Sequence, residues 1–168
     1  MVISKDNMKK LLKSQQGELN GVETYLIMAD LVCNESDAKT FKALAADEGR
    51  HASVFKHYTG KVLTPKKTQA LAVTSLYRLI GKRALYSLIA MGEYAAVPGY
   101  KKMMTEFSEV ESVMNDEKRH GDTVKALQNN GEYEDKALLP RLFGLAAIMI
   151  VLWKTVSFLV HPKNDHMV

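Results

Sequence analysis

The stretch DEGRH at residues 47–51 recurs as DEKRH at residues 116–120, and this repetition decides how the chain is organised. A second pair of segments repeats with it. GELNGVETY at 17–25 and GEYAAVPGY at 92–100 share Gly, Glu, Val and Tyr at corresponding positions. Each half of the chain therefore has one segment with a Glu, followed by one segment with Asp-Glu-x-Arg-His. This pattern indicates an internal duplication.

Length and composition predict one ordinary globular domain, since the chain has 168 residues, of which 46% are hydrophobic and 25% charged. The net charge of +4 is small and the basic residues are scattered, so nucleic-acid binding has no support. Cys33 is the single cysteine, which excludes an intramolecular disulfide and any cysteine-based zinc or iron site. The polar N-terminus lacks the apolar core of a signal peptide, and we expect a cytoplasmic domain.

Strand patterns are nearly absent, whereas apolar residues recur at spacings of three and four in the first half of the chain. They predict one helix over about 8–32. Asn34 or Ser36 is suited to cap a second helix that runs to Tyr58, and Gly60 is suited to end it. The first half is thus expected to form a helical hairpin.

The second half begins with a stretch at 61–83 that contains a proline and predicts a long connection. A third helix is expected from about Leu85 to Met103. Ser108 followed by Glu111 has the pattern of a capping box that opens a fourth helix. Four helices with one long connection in the middle match a ferritin-like bundle, which we place at 1–132. The predicted fold is therefore all-α.

The repeated motif is suited to binding metal ions. Glu48 and His51 are three positions apart, so on a helix they project from one face and can hold one ion together. Glu117 and His120 repeat this spacing in the second copy. For each copy, one further Glu lies on the antiparallel neighbouring helix. Four carboxylates and two imidazoles at one level form the ligand set of a carboxylate-bridged di-iron or di-manganese site. The predicted metal-ligating and catalytic residues are Glu18, Glu48, His51, Glu93, Glu117 and His120.

Four segments, QQGELNGVETY, AADEGRHASVFK, GEYAAVPGY and NDEKRHGDTVK, resemble the rubrerythrin group of the ferritin-like superfamily over about residues 8–128. The resemblance implies two iron ions, with manganese as the alternative, that react with dioxygen or hydrogen peroxide as the iron cycles between ferrous and ferric states. It also implies a role for each ligand: terminal carboxylates at Glu18 and Glu93, bridging carboxylates at Glu48 and Glu117, and one imidazole per ion from His51 and His120.

Two features depart from typical rubrerythrins. These proteins carry an additional iron centre held by four cysteines, which a chain with only Cys33 cannot form, so electrons have to come from an external donor. They also carry a carboxylate three residues after the third-helix ligand, where this chain has Ala96. The second departure argues against a peroxidase mechanism in which iron moves between His and that carboxylate.

Residues next to the predicted ligands have expected roles of their own. Asp47 and Asp116 are expected to orient the imidazole of the opposite motif. For Tyr25 and Tyr100, two turns from Glu ligands, packing in the core is favoured over hydrogen bonding near the metals. Pro98 is expected to break the third helix locally, because it has no N–H to donate.

Three other charged residues are placed outside the predicted site. Glu23 lies about 140° around the helix from Glu18, which turns it away from the metals. Arg50 and Arg119 are expected on the outer surface or paired with acids there.

The C-terminal part is more hydrophobic than the rest of the chain, since the 19 residues of 142–160 include a single charged one, Lys154. A hydrophobic helix at 138–161 is predicted. The segment is nearly long enough to span a bilayer, and a membrane anchor is favoured. A soluble fifth helix, packed on the bundle or on a second subunit in a homodimer, explains the same residues, and a lysine in the middle of a bilayer is costly.

Three functions remain open from the sequence. The first is a di-iron oxidoreductase that oxidises Fe(II) or reduces peroxide or dioxygen. The second is a membrane-associated hydroxylase of the demethoxyubiquinone type, which resembles this duplicated pattern. The third is a non-enzymatic iron-binding module. Spacing favours the first over the second, because quinone hydroxylases generally place more residues between the third ligand and the second Glu-x-x-His.

Overall fold

The computed structural model describes residues 3–128, and within them it contains four α-helices and no strand. Helix α1 packs mainly against α2, and α3 mainly against α4, while contacts of α1 with α3 and of α2 with α4 close the bundle. The predicted all-helical bundle is confirmed over these residues. The predicted domain end at 132 and the helix at 138–161 lie outside them. The helices are α1 (Lys5–Leu31), α2 (Glu35–Thr59), α3 (Thr68–Met103) and α4 (Val110–Leu127).

The ends of the first two helices follow the capping chemistry of the sequence. Helix α1 begins earlier than the apolar pattern indicated, because Ser4 caps it by accepting a hydrogen bond from the backbone N–H of Asn7. At the start of α2, Asn34 is the cap, and its side chain accepts from the N–H of Asp37 at 3.1 Å. Gly60 ends α2 in the left-handed conformation with φ of 61°, as predicted.

The connection between the two helical hairpins is held along α1 by polar side chains. The side chain of Gln15 donates to the carbonyl of Lys61 at 2.9 Å, and Asn20 accepts from the N–H of Lys66 at 2.7 Å. These bonds satisfy backbone groups that regular structure leaves unpaired in the connection. The start of α3 is thereby fixed relative to α1.

The predicted long connection at 61–83 is wrong in part, because α3 already begins at Thr68. Gly81 divides this helix, with φ of 79° and ψ of 174° inside an otherwise helical segment. A residue with a Cβ would be strained at this positive φ, whereas glycine adopts it readily. The apolar pattern before Gly81 is thus a helical segment that leads into the part of α3 that carries the predicted ligand Glu93.

Pro98 does not break α3, contrary to the prediction, and Gly81 is the one position in this helix with non-helical angles. Proline fixes φ near the helical value, and it removes a single backbone hydrogen bond, that to the carbonyl of Tyr94. The bonds on either side and the packing of the helix are sufficient to maintain it. Pro98 itself is exposed, so its ring meets no packing constraint.

The predicted capping box at the start of α4 does not form. The residue before the helix is Glu109, which has helical backbone angles and no side-chain capping bond. The N–H of Glu111 instead donates to the backbone carbonyl of Ser108 at 3.1 Å. Short backbone turns satisfy the first N–H groups here, so the Ser108 hydroxyl is not needed for this purpose.

Two apolar clusters form the core, and they lie at different levels of the bundle. One cluster includes Tyr25, Phe41 and Tyr86, and the other includes Phe55 and Val113. On every helix the predicted metal ligands fall between residues of the first cluster and residues of the second. The polar site is therefore sealed by apolar packing above and below.

None of the four helices in residues 3–128 combines the length and the apolar character required to cross a membrane. The segment 142–160, for which a membrane anchor was predicted, lies outside the part of the chain that the structure describes. The anchor therefore stays a prediction.

Candidate metal centre

Each helix contributes one carboxylate to a common level in the bundle. Glu18 of α1, Glu48 of α2 and Glu117 of α4 are at most 5% exposed, and Glu93 of α3 is half-buried. Ionised carboxylates are rarely buried unless they are paired with positive charge or bind a metal ion. Four of them at one level therefore require a compensating group.

The centre of the site is formed by the two Glu-x-x-His pairs. One ligand atom from each of Glu48, His51, Glu117 and His120 lies within 4.8 Å of the others. The remaining two carboxylates flank this group. Glu18 Oε2 lies 3.2 Å from His51 Nδ1, and Glu93 Oε2 lies 3.9 Å from His120 Nδ1. The structure thus brings all six sequence-predicted residues together.

Aspartates from the opposite motif orient both imidazoles, as predicted. His51 Nε2 lies 3.1 Å from Asp116 Oδ2, and His120 Nε2 lies 3.1 Å from Asp47 Oδ2. An ionised aspartate only accepts hydrogen bonds, so each Nε2 carries the hydrogen. In the neutral imidazole the lone pair is then on Nδ1, which faces the carboxylates. The two rings are stacked, with centroids 5.4 Å apart.

Arg119 connects the two aspartates. Its Nη2 donates to Asp47 Oδ2 at 2.8 Å and to Asp116 Oδ1 at 2.7 Å. Arg50, at the same position of the first motif, pairs with Asp47 and with no other acid within residues 3–128. Burial raises the pKa of both aspartates, but the interactions with the arginines and with the facing histidines together outweigh it, so that both pKa values are lowered. Both arginines are exposed and paired with acids, as predicted, but the two copies of the motif are not equivalent.

Two buried tyrosines donate hydrogen bonds to the flanking carboxylates. Tyr25 OH donates to Glu93 Oε1, and Tyr100 OH donates to Glu18 Oε1. Core packing, the favoured interpretation for these tyrosines, is confirmed, since both belong to the apolar clusters, and the alternative of hydrogen bonding to the predicted ligands holds as well. Each bond crosses from one helix of the α1–α3 pair to the other. The tyrosine of each repeated segment thus fixes the glutamate of the other segment.

Crowding of the carboxylates changes their proton affinity. Burial and then repulsion by the surrounding glutamates raise the pKa of Glu48 well above its ordinary value. Burial and repulsion by Glu117 raise the pKa of Glu93 to about 9, although its bond from Tyr25 acts in the opposite direction. Without metal ions Glu93 therefore holds a proton at neutral pH.

The two histidines respond differently to the same surroundings. Burial alone would lower the pKa of His51, but the carboxylates Glu117 and Glu18 outweigh it and raise the pKa to about 10. For His120, burial prevails over the hydrogen bond to Asp47 and the pKa is lowered. The first ring is therefore held as an imidazolium when no metal is bound, and a metal ion at its Nδ1 would displace that proton.

Gly21 makes room for a predicted ligand. A Cβ built on this residue would lie 2.5 Å from Glu48 Oε2, which is closer than two such atoms can approach. One turn earlier, a Cβ on Gly17 meets nothing within 4 Å. The absence of a side chain at Gly21 is thus required by the position of Glu48, whereas that at Gly17 is not.

The residues of the site fit a pair of divalent cations. Glu117 Oε1 is buried and forms no hydrogen bond of good geometry within residues 3–128, although His51 Nδ1 lies 3.3 Å away, within the range of an ion pair. A buried carboxylate oxygen that lacks a well-placed donor is costly, and a bound cation would remove that cost. Oxygen and imidazole ligands around two ions suit iron or manganese. Two divalent ions would also balance four carboxylates.

Sequence reasoning missed two contributors to the site. The bridging contact of Arg119 was not predicted, because the two copies of the motif carry the same arginine and their sequences do not reveal which aspartates each one reaches. Gly21 was not singled out, although it and Ala96 occupy equivalent positions of the two repeated segments. Small residues at both positions were the available indication that space beside the glutamates matters.

Comparison with known proteins agrees with this arrangement. Residues 9–128, more than half of the chain, match the protein family described as Rubrerythrin. No curated protein matches the chain significantly, and no solved structure does so either. The family match spans all four helices except the first turn of α1 and includes both Glu-x-x-His motifs. This chain therefore belongs to the rubrerythrin family.

Proposed function

We propose that this protein is a di-iron oxidoreductase that oxidises Fe(II) or reduces hydrogen peroxide or dioxygen. The observation that carries the proposal is the buried group of Glu48, His51, Glu117 and His120, whose ligand atoms lie within 4.8 Å of one another. In this proposal Glu48 and Glu117 would each serve both ions, and each histidine would hold one of them through Nδ1. Glu18 and Glu93 would be the terminal ligands.

Iron held in this way would supply the redox chemistry, by cycling between its ferrous and ferric states. The chain's own part is to hold the ligands and to shield the two ends of the site from solvent. Tyr25 and Tyr100 keep the terminal carboxylates in place by hydrogen bonds. Asp47 and Asp116 keep each Nε2 protonated, so that Nδ1 is available to the metal. Apolar clusters on both sides limit access of solvent.

Electrons would have to come from outside this domain. Cys33 is the single cysteine and is exposed, which excludes a four-cysteine iron centre in this chain. Within residues 3–128, one group of His, Cys, Asp and Glu side chains has the arrangement needed to hold metal. The protein is therefore expected to need an external reductant after each oxidation.

Metal analysis tests the site itself. The wild-type protein is expected to bind two ions per chain, and Glu48→Ala or Glu117→Ala should lose both, because each bridging carboxylate serves both ions. Glu23→Ala is the matched control, since Glu23 is on the same helix as Glu18 but is not part of the cluster. One ion per wild-type chain, or two ions retained in both bridging variants, would refute the two-metal site.

Oxidation of the ferrous protein tests the activity. Fe(II)-loaded protein, prepared without oxygen, should consume hydrogen peroxide or dioxygen and become ferric, then stop until a chemical reductant is added. Consumption is followed with an electrode and the ferric form by absorbance. Sustained turnover of a quinone substrate with no reaction toward peroxide or ferrous iron would favour a hydroxylase instead. Two bound ions that never change oxidation state would favour an iron-binding module.

A further inference from the structure

A cavity of about 370 Å³ opens between α1 and α3, directly beside the predicted metal ligands. Its inner end is formed by the carboxylates of Glu18, Glu48, Glu93 and Glu117. These are the four groups that would hold the ions, so the cavity gives direct access to them. Its outer end reaches the surface at Leu88, which is 49% exposed.

The cavity exists because the two helices face each other with small residues. Gly17 on α1 and Gly92 and Ala96 on α3 line it. A Cβ built on Gly17 or on Gly92 would meet nothing within 4 Å, so the space next to both is open. Glycine inside a helix destabilises it by roughly 0.5–1 kcal/mol relative to alanine. Closer packing of the helices does not offset this destabilisation at Gly17 and Gly92.

The walls between the inner and outer ends are mainly apolar. Val73 and Leu76, from the helical segment before Gly81, face the cavity together with Leu85 and Ile89, while Thr24 and Gln69 are uncharged polar residues of the lining. No lysine or arginine within residues 3–128 lines it. Removing water from such walls favours an apolar molecule, because hydrophobic surface is buried on binding.

The size of the cavity exceeds what a small oxidant needs. A water molecule takes up about 30 Å³ in the liquid, and hydrogen peroxide or dioxygen is only slightly larger. Two metal ions bound to the carboxylates would occupy a small part of the inner end. The volume falls within the range of about 300–1,000 Å³ that is typical of sites for organic ligands.

Charge limits the class of ligand further. Among the described residues, the lining contains no lysine or arginine that could pair with an anion. An anionic ligand in this apolar surrounding would have to lose its hydration without a basic partner. A cation would compete with the metals for the carboxylates. An uncharged molecule neither loses the hydration of a charge nor competes with the metal ions.

We infer that this cavity is a binding site for an uncharged, mainly apolar organic molecule of roughly ten to fifteen non-hydrogen atoms, the size that fits its volume. The inference rests on the proposed function in one respect, namely that the bound molecule would lie next to metal ions. Binding itself depends on the shape and the apolar walls of the cavity, which the protein residues provide. A site of this kind would let an organic substrate or reductant contact the metal centre directly.

Calorimetric titration with 2-naphthol tests the inference on the full-length protein, both free of metal and loaded with Fe(II) without oxygen. The titration is repeated with 2-naphthoate, which has a similar ring and a negative charge at neutral pH. We expect saturable binding of 2-naphthol in both metal states and no measurable binding of 2-naphthoate to the metal-free protein. No saturable binding of 2-naphthol, or equal binding of the two probes to the metal-free protein, would overturn the inference.

Variants that fill the cavity locate the binding. Gly92→Leu and Ala96→Leu each place a larger side chain in it and should weaken 2-naphthol binding at least about tenfold. Gly49→Leu is the control, because a Cβ at Gly49 also meets nothing within 4 Å, and Gly49 does not line the cavity. Helical circular dichroism and metal content are measured for each variant, to confirm folding. If neither filling variant weakens binding, the probe binds elsewhere and the inference fails.

The two proposals can fail separately. Failure of the chain to bind two metal ions, with 2-naphthol still bound in the cavity, would refute the di-iron site and leave this inference in place. Two bound ions with normal oxidation of ferrous iron, but no binding of 2-naphthol, would refute this inference and leave the di-iron site in place.

Discussion

Arg119 Nη2 lies 2.8 Å from Asp47 Oδ2 and so joins the second copy of the duplicated motif to the first. The same nitrogen donates to Asp116, the aspartate of its own motif. Asp47 and Asp116 hold the outer nitrogens of His120 and His51. One exposed arginine therefore fixes the orientation of both predicted imidazole ligands.

Replacing Arg119 by methionine should weaken binding of both metal ions by about tenfold or more, which is the effect typical of residues that orient metal ligands. Arg50→Met is the matched control, since Arg50 pairs with Asp47 but not with Asp116, and its replacement leaves the Arg119 bridge intact. We expect less than about a threefold change for it. Affinities are measured by competition with a chelator of known affinity.

Arg119→Lys separates positioning from charge. Lysine keeps the positive charge but lacks the planar fork that reaches two aspartates, so it should restore only part of the affinity. Equal losses in Arg50→Met and Arg119→Met would show that the bridge has no special role and that overall charge is responsible.

Tyr100→Phe should reduce the affinity for one of the two ions by several-fold and leave the other less affected, because the hydroxyl of Tyr100 donates to Glu18 alone among the six predicted ligands. Removing it leaves one oxygen of a buried carboxylate without its donor, which costs about 1–3 kcal/mol. Stepwise metal titration monitors the two ions separately.

Tyr86→Phe serves as its control. Tyr86 is also fully buried and donates to a buried acid, Asp37, at 3.3 Å, but neither residue belongs to the metal cluster. This variant should lower the free energy of unfolding without changing metal affinity. A loss of metal affinity in Tyr86→Phe as large as that in Tyr100→Phe would indicate a general loosening of the bundle.

The metal-free protein should become less stable as the pH rises from about 5 to about 9. The pKa of Glu93 is raised from 4.5 to about 9 in the folded state, and that of His51 from 6.5 to about 10. The folded protein therefore keeps protons that the unfolded chain releases over this range. Their stabilising contribution is complete below the unfolded pKa values and is lost as the pH passes the folded ones.

Urea unfolding of metal-free protein at about pH 5, 7 and 9 measures this dependence. Protein with bound metal should show the opposite slope over the lower part of this range, because the ligands have to be deprotonated before they bind ions. A free energy of unfolding that rises from pH 5 to pH 9 without metal would contradict the pKa values given for Glu93 and His51.

Most of the bundle and the grouping of the six predicted ligands follow from periodicity in the sequence. Glu48 and His51 are three positions apart on a helix, which fixes their common face, and the duplication supplies the second half. The caps at Asn34 and Gly60 were also predictable, because each depends on the local chemistry of one residue.

The features that were not predictable depend on contacts between distant parts of the chain. The segment before Gly81 has the composition of a connection, and its helical form follows from apolar packing against the bundle, as Val73 in the core illustrates. Pro98 stays helical because the surrounding helix outweighs one missing hydrogen bond. The hydrogen bonds of Tyr25 and Tyr100 depend on the way α1 and α3 face each other, which the sequence of either helix does not contain.

Gly21→Ala should impair metal binding, although a glycine-to-alanine change in a helix normally stabilises it by about 0.5–1 kcal/mol. A Cβ at Gly21 would lie 2.5 Å from Glu48 Oε2 and would force this predicted bridging carboxylate to move. Because a bridging group serves both ions, we expect weaker binding of the pair as a whole. Metal content and affinity are measured alongside thermal unfolding.

Gly17→Ala is the matched control for this prediction, since it is one turn away on the same helix and its Cβ would meet nothing within 4 Å. It should raise the stability of the metal-free protein by about 0.5–1 kcal/mol and leave the binding of two ions unchanged. The contrast isolates the contact with Glu48 from the general effect of removing a helical glycine. If Gly21→Ala binds two ions as tightly as Gly17→Ala does, Glu48 does not need to occupy its observed position in order to hold them.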